Sequence, residues 1–307
     1  MTVEDSKVKR SALMSAYLRG YHAVHETPKI FNDFLAHHLL KEEERAAFEQ
    51  TMVTTLQLVD PERAAACEDR TAAVACMLQS YFPTSLFLSR ARYAEDRLES
   101  AIRQGIKQYL ILGAGMDTFA FRHPETLMDI QVFEIDHPAT QAFKRRRLTE
   151  LGWELPSNLH FVPLDFTKEN LETALARSSF DAKSLSFFSW LGVIHYLPRE
   201  AVFSSLHSIA SLCPAGSSVT FDYWDTDAFD TERTAKRVKL MQEMLRSAGE
   251  PMLTGLDPST LPDELLDIRL RLQEHWSPAH IQGHYFQGRT DGYYAYEHSH
   301  FANAVVE

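Results

Sequence analysis

The sequence is short of cysteine, glycine and positive charge, and it has no long hydrophobic run. Its three cysteines, Cys67, Cys76 and Cys213, are scattered. They give neither a disulfide framework nor a zinc-binding spacing, which suits a reducing compartment. No stretch approaches the roughly 20 apolar residues a membrane span needs. The opening MTVEDSKVKRSALMSAYLRGYH mixes acids and bases and lacks the apolar core of a signal peptide. A soluble, cytoplasmic protein without a membrane partner is expected. Lys and Arg number 31 against 42 Asp and Glu, a formal charge of −11. That balance makes a poor default binder of nucleic acid. The basic run KRRRL (144–148) lacks interleaved aromatics and reads as a solvated helix face, with the option of pairing to an acidic cap. Histidines gather at His37–His38, in EHSH (297–300) and at His275, His280 and His284. Adjacent histidines on a helix face different ways, and no H-x-x-x-H stands beside an inward carboxylate, so no metal site is expected.

What is present is an ordinary globular composition, 45% hydrophobic and 24% charged. Residues 1–105 read as helical, with apolar residues at 3–4 spacing through SALMSAYLRGYHAVHE, KIFNDFLAHHLLKEEERAAFEQTMVTTLQLV, PERAAACEDRTAAVACMLQSYF and SRARYAEDRLESAIRQG. From 106 to 307 short apolar runs alternate with helical stretches. Strands are expected in QYLILG (108–113), DIQVFEID (129–136), NLHFVPLD (158–165), SLSFFSWLG (184–192) and SSVTFDYW (217–224). This alternation specifies an α/β fold with a parallel, doubly wound sheet. IRLRLQEHW and GYYAYEHSHFANAVV can add last, partly antiparallel strands.

In such a sheet a ligand binds at the carboxyl ends of the strands, beside the first turn. That turn is Gly113-Ala114-Gly115, in YLILGAGMDTFAFR. Two glycines let the backbone approach a ligand closely. A dinucleotide fingerprint wants a third small residue at position 118, where Thr118 stands. Asp117 places a carboxylate beside the turn, which repels a pyrophosphate but can help hold the ammonium of S-adenosyl-L-methionine. Glu134 and Asp136 share a side of the second strand by alternation. Asp136, at the strand end, suits a ribose diol; Glu134 reads equally well as a salt-bridged acid. Asp165 can accept from an adenine amine with Phe166 as a wall, or serve as a helix cap with Thr167 as a competitor.

These segments resemble successive motifs of the leucine carboxyl methyltransferase family: LILGAGMDTFAFR, VFEIDHPATQAFKRRRL, HFVPLDFTKENLETAL, WLGVIHYLPREAVFSSLHSIA and HYFQGRTDG. This is the class I S-adenosyl-L-methionine-dependent group that includes protein phosphatase carboxyl methyltransferases and bacterial polyketide O-methyltransferases. The resemblance implies a Rossmann-like, seven-stranded, mostly parallel sheet under an α-helical N-terminal cap, with S-adenosyl-L-methionine as cofactor. It implies a cap arginine on the cofactor carboxylate, carried by SRARY to Arg90 with Arg92 as competitor. It carries the turn to Gly113 and Gly115, the ribose acid to Asp136 and the adenine acid to Asp165. One departure is Leu191 in WLGVIHYL, where the family often has glutamate.

Methyl transfer from a sulfonium is an in-line displacement that needs alignment and exclusion of water. A carboxylate acceptor needs no base near pH 7, whereas a hydroxyl does. Candidates to bind or deprotonate an acceptor are His195 and Tyr196 after the fourth strand, Tyr223 on the fifth, and Arg289 in the tail. Each also has a packing or ion-pair reading, Arg289 with Asp291 in particular. The expected acceptor is a small molecule or a peptide carboxylate. Two other readings are an NAD(P)-dependent oxidoreductase, disfavoured by Thr118 and the lack of a Tyr-x-x-x-Lys pair, and a cofactor-binding module without turnover.

Overall fold

Five parallel strands follow residue 105 in a computed structural model that describes residues 10–307. They are β1 (Gln108–Leu112), β2 (Gln131–Asp136), β3 (Leu159–Pro163), β4 (Ser186–Trp190) and β5 (Ser218–Trp224). Two more, β6 (Leu270–Trp276) and β7 (Ser299–Val306), complete one sheet in the order β3-β2-β1-β4-β5-β7-β6, with β7 antiparallel to both its neighbours. The order reverses beside β1, so the β1 and β4 ends open a crevice at the carboxyl edge.

The α-helices of the described residues are α1 (Arg10–His25), α2 (Glu42–Val59), α3 (Pro61–Ala65), α4 (Arg70–Ser80), α5 (Thr84–Arg103), α6 (Phe119–Arg122), α7 (Pro138–Glu150), α8 (Leu171–Ala176), α9 (Arg199–Leu212), α10 (Lys236–Ser247), α11 (Leu261–Leu266) and α12 (Pro278–Ile281). One sheet face, with Leu110, Phe133, Phe188, Phe221 and Tyr223, packs on Leu175 of α8, Leu206 of α9 and Leu265 of α11. The opposite face, with Tyr109, Ile111, Val132 and Phe187, packs on Leu98 and Ala101 of α5 and Phe119 of α6. The cap helices α1, α2 and α4 share a core with Phe143 and Leu148 of α7. Helix α5 therefore belongs by packing to the sheet layer while it carries the cap at its N-terminal end. No single described helix is long and apolar enough to cross a membrane.

The stretch 29–59, read as helical throughout, is helical only from Glu42, with one 3-10 turn at Ala36–Leu39. Asp33 causes the break. Its carboxylate turns back on the Ala36 N–H (3.1 Å) and pairs with Arg19 of α1 (2.9 Å), so the chain folds across α1. PERAAACEDRTAAVACMLQSYF likewise divides into two helices, each N-capped by an aspartate: Asp60 on the Arg63 N–H and Asp69 on the Ala72 N–H. The last strand begins at Ser299 rather than near Gly292.

Candidate active site

At the carboxyl edge of β1 the backbone turns through Gly113, Ala114 and Gly115. The Gly113 and Ala114 N–H groups donate to the Ile135 carbonyl of β2 at 2.7 and 3.2 Å, which pins the turn to its neighbour. Gly113 has φ +72°, and a Cβ there would collide with the Val193 side chain. The position requires glycine on both counts.

Asp136 closes β2 with its carboxylate against this turn, accepting from the Gly115 N–H and from the His137 N–H at 2.6 Å. Burial pushes its pKa up, against the lowering by those two donors. Glu134, two residues earlier on the same face, is fully enclosed and pairs with Lys144 of α7 at 2.6 Å. Burial drives its pKa up to about 7 despite the lysine. It is the salt-bridged acid of the sequence alternatives, in the sheet interior. The basic run of α7 is accordingly divided: Arg145 and Arg146 are exposed, whereas Lys144 and Arg147 are buried. Lys144 is buried and also donates to the Asp117 carbonyl at 2.6 Å, supporting the turn from below. Arg147 is buried against the cap, bonded to Glu44 at 2.9 Å.

The turn, Asp136 and the end of β4 border a cavity of about 690 Å³. It is lined also by Asp117, Asp165, Phe166, Leu191, His195 and Tyr196, and it is covered by α1, α5 and α10. One Asp117 oxygen caps the Phe119 N–H at 2.7 Å. Asp165 accepts from the Thr167 N–H and hydroxyl and pairs with Lys168. Burial opposes ionisation there, but these partners win and hold its pKa at about 2. The cap of α8 is Asn170, not Asp165. Phe166 stacks on Trp190 with centroids 5.8 Å apart.

Arg90 enters the cavity from α5, its side chain 9% exposed, over the Phe87 ring at 4.1 Å and paired with Asp222 of β5 at 3.1 Å. Arg92, two residues on, points outward, 51% exposed and paired with Asp96. His195 is buried, its Nδ1 lacking a partner among the described residues, and burial together with the Arg90 charge lowers its pKa to about 3. Tyr196 packs on it at 4.1 Å, and burial raises the phenol pKa.

Two expected acceptor residues do not reach the cavity. Tyr223 lies on the opposite sheet face because strand alternation sends it toward α9 and α11, where its hydroxyl meets His275 Nε2 at 2.8 Å. Arg289 is held by Asp291 and by the Pro28 carbonyl, away from the cavity lining. Sequence reasoning missed Asp222 and Trp224, which alternation places on the cavity side of the same strand. It also missed Ser11, Met14 and Met241 on the covering helices.

The donor set fits a cofactor with one amino-acid end and one nucleoside end. Arg90 has a guanidinium turned to the cavity, Asp136 a carboxylate at the strand end, and Asp165 with Phe166 a polar edge and an apolar wall. Seven strands in this order with an antiparallel β7 define the class I methyltransferase fold. The chain matches a Streptomyces avermitilis structure of the DUF574 family with a TM-score of 0.58 at 12% identity, over 99% of this chain and 100% of that one. A Thermobifida fusca structure named as a methyltransferase matches with a TM-score of 0.53 at 16% identity, over 80% and 88%. In sequence it is 37% identical over 295 residues to YktD of Bacillus subtilis, named as an S-adenosyl-L-methionine-dependent methyltransferase, covering 96% of this chain and 97% of that one. The leucine carboxyl methyltransferase profile matches residues 12–210. The chain belongs to the leucine carboxyl methyltransferase family, and it is a methyltransferase.

Proposed function

We propose that this enzyme moves the methyl group of S-adenosyl-L-methionine to an oxygen, carboxylate or hydroxyl, of a small molecule or peptide terminus. The observation that carries the reading is one cavity whose lining joins Gly113, Ala114, Gly115, Asp117, Asp136 and Asp165 at the strand ends, and Arg90 of α5, to the apolar side chains Met14, Phe82, Phe87, Met241 and Met244 of the covering segments. When bound, the cofactor supplies a methyl group on a positively charged sulfur, and the sulfur keeps the electron pair of the broken bond.

Arg90 receives the cofactor carboxylate, for which a guanidinium fork is matched in planarity and spacing. Asp117 faces the ammonium. Asp136 accepts from the ribose hydroxyls, and Asp165 with Phe166 borders the adenine. The apolar side chains of the covering segments take the body of the acceptor and exclude water from the attacking oxygen. For a hydroxyl acceptor, neutral His195 takes the proton that the oxygen releases as it gains the methyl group, whereas a carboxylate releases none; Tyr196 backs the His195 ring. Leu191 adds apolar wall.

Incubation with methyl-deuterated S-adenosyl-L-methionine and a panel of aliphatic acids, phenols and peptides with free carboxylates tests this. Mass spectrometry should find label in at least one acceptor. Mild alkali separates the two products, because it cleaves a methyl ester and leaves a methyl ether. Label on nitrogen, sulfur or carbon in place of oxygen would overturn the reading.

A further inference from the structure

Asp222 is wholly enclosed, with 0% of its side chain exposed, yet it is ionically engaged with the cavity wall. Alternation along β5 turns it and Trp224 toward α5. Its Oδ1 accepts from the Gly192 N–H at 2.6 Å and its Oδ2 from Arg90 at 3.1 Å. Both oxygens are thereby committed to the protein, one to the loop after β4 and one to α5. Gly192 completes the arrangement. It has φ +69°, and a Cβ there would run into the Arg90 guanidinium. Phe87 supports the guanidinium through its ring. Among the described residues, the bond to Asp222 is the one hydrogen bond Arg90 makes, so the rest of the fork is left to the cavity.

We propose that Asp222 is the positioning residue that, with Gly192, sets Arg90 to receive the carboxylate of the cofactor. The proposal rests on the reading that Arg90 meets that carboxylate. Two effects of Asp222 have opposite signs. As a charge it repels an incoming carboxylate, so neutralising it would tighten binding. As a positioner it fixes a long side chain that otherwise keeps its rotamer freedom, so neutralising it would weaken binding. A two-pronged pair requires both N–H groups aligned at once, so the positioning effect prevails.

The test is calorimetric titration of the full chain with S-adenosyl-L-homocysteine and with S-adenosyl-3-thiopropylamine, which lacks only the carboxylate. Asp222→Asn keeps the shape and an acceptor for Gly192. It should weaken S-adenosyl-L-homocysteine about tenfold or more and leave the decarboxylated ligand within about twofold. Gly192→Ala displaces the guanidinium from the other side and should give the same selective loss. Tighter or unchanged binding of S-adenosyl-L-homocysteine in Asp222→Asn overturns the proposal, as does equal weakening of both ligands in the two variants. Should Asp222→Asn fail to fold, Gly192→Ala decides by the same two outcomes. Wild-type protein that binds both ligands equally removes the carboxylate from Arg90. Wild-type protein that binds neither overturns the proposed function, and with it the role of Asp222.

Discussion

At the scale of single residues, the site is made of groups whose environments are already set by the protein. Asp136 is held by two backbone N–H donors, so its carboxylate has a fixed direction before any ligand arrives. Asp136→Ala should weaken binding of S-adenosyl-L-homocysteine at least about tenfold, since a charged acceptor for two hydroxyls is lost. His195 gives a pH prediction with a definite sign. Its folded pKa, about 3, lies below the ordinary value of 6.5 because burial, then Arg90, disfavours the imidazolium. The unfolded chain therefore binds a proton below pH 6.5 that the folded chain refuses, and stability falls as pH drops from there toward 3. His195→Gln should remove about 2 kcal/mol of the stability difference between pH 6.5 and pH 5, read from urea midpoints. With its pKa that low, His195 produces no limb in the activity profile between pH 5 and 8. Asp136, Asp165 and the glycine turn were legible in the sequence because each stands at the carboxyl end of a strand. Asp222 was not, because an acid inside an apolar strand carries no local signal until its facing is known. Tyr223 misleads for the same reason: the sequence marks the strand but not which of its sides faces the cavity.

At the scale of elements, the cap is joined to the sheet through Asp33. It pairs with Arg19 of α1 at 2.9 Å, takes the Thr118 hydroxyl at the start of α6, and faces Arg122 at 3.4 Å. Arg19 also donates to the Met116 carbonyl in the turn. Thr118, the residue that spoils a dinucleotide fingerprint, is thus the one that docks the cap segment. Burial pushes the Asp33 pKa up, but Arg19, Arg122 and Thr118 outweigh it and the net shift is downward. A depressed carboxylate contributes stability above its unfolded pKa, near 3.8, and loses it as pH falls through the folded value. Asp33→Asn should cost about 3 kcal/mol at neutral pH, because it leaves Arg19 buried without its carboxylate, while Arg122 keeps Glu95. It should also flatten the acid limb below about pH 4. Equilibrium unfolding across pH checks both. The helices read at 11–26 and 138–152 match α1 and α7 closely, whereas the one read at 61–82 divides into α3 and α4. The one read at 29–59 runs through residues 29–41, where a tertiary ion pair overrides local helix preference.

At the scale of the whole molecule, the cavity lies between the strand ends and helices from both ends of the chain. The Arg10 N–H at the start of α1 donates to Glu250, just beyond α10, at 2.9 Å. Helix α5 packs on the sheet and on the cap at once. Cap and sheet are therefore expected to unfold in a single transition, and a ligand in the shared cavity should stabilise both. At a hundredfold excess over its dissociation constant, S-adenosyl-L-homocysteine should add about 2.7 kcal/mol. Differential scanning calorimetry would show one peak moving upward. Two peaks, with only one moving, would contradict the shared cavity. The alternation of strands and helices made the α/β class and five parallel strands readable from sequence. The placement of β7 between β5 and β6 was not, since strand order among short antiparallel segments is a long-range property.

The central claim is that this cavity takes S-adenosyl-L-methionine by its two ends, with Asp136 on the ribose. The most direct measurement is calorimetric titration of the wild type and Asp136→Ala with S-adenosyl-L-methionine, S-adenosyl-L-homocysteine and NADH. The account predicts micromolar binding of the first two to the wild type, loss of both in the variant, and no binding of NADH. Tight binding of NADH without either sulfur ligand, or undiminished binding in Asp136→Ala, would contradict it.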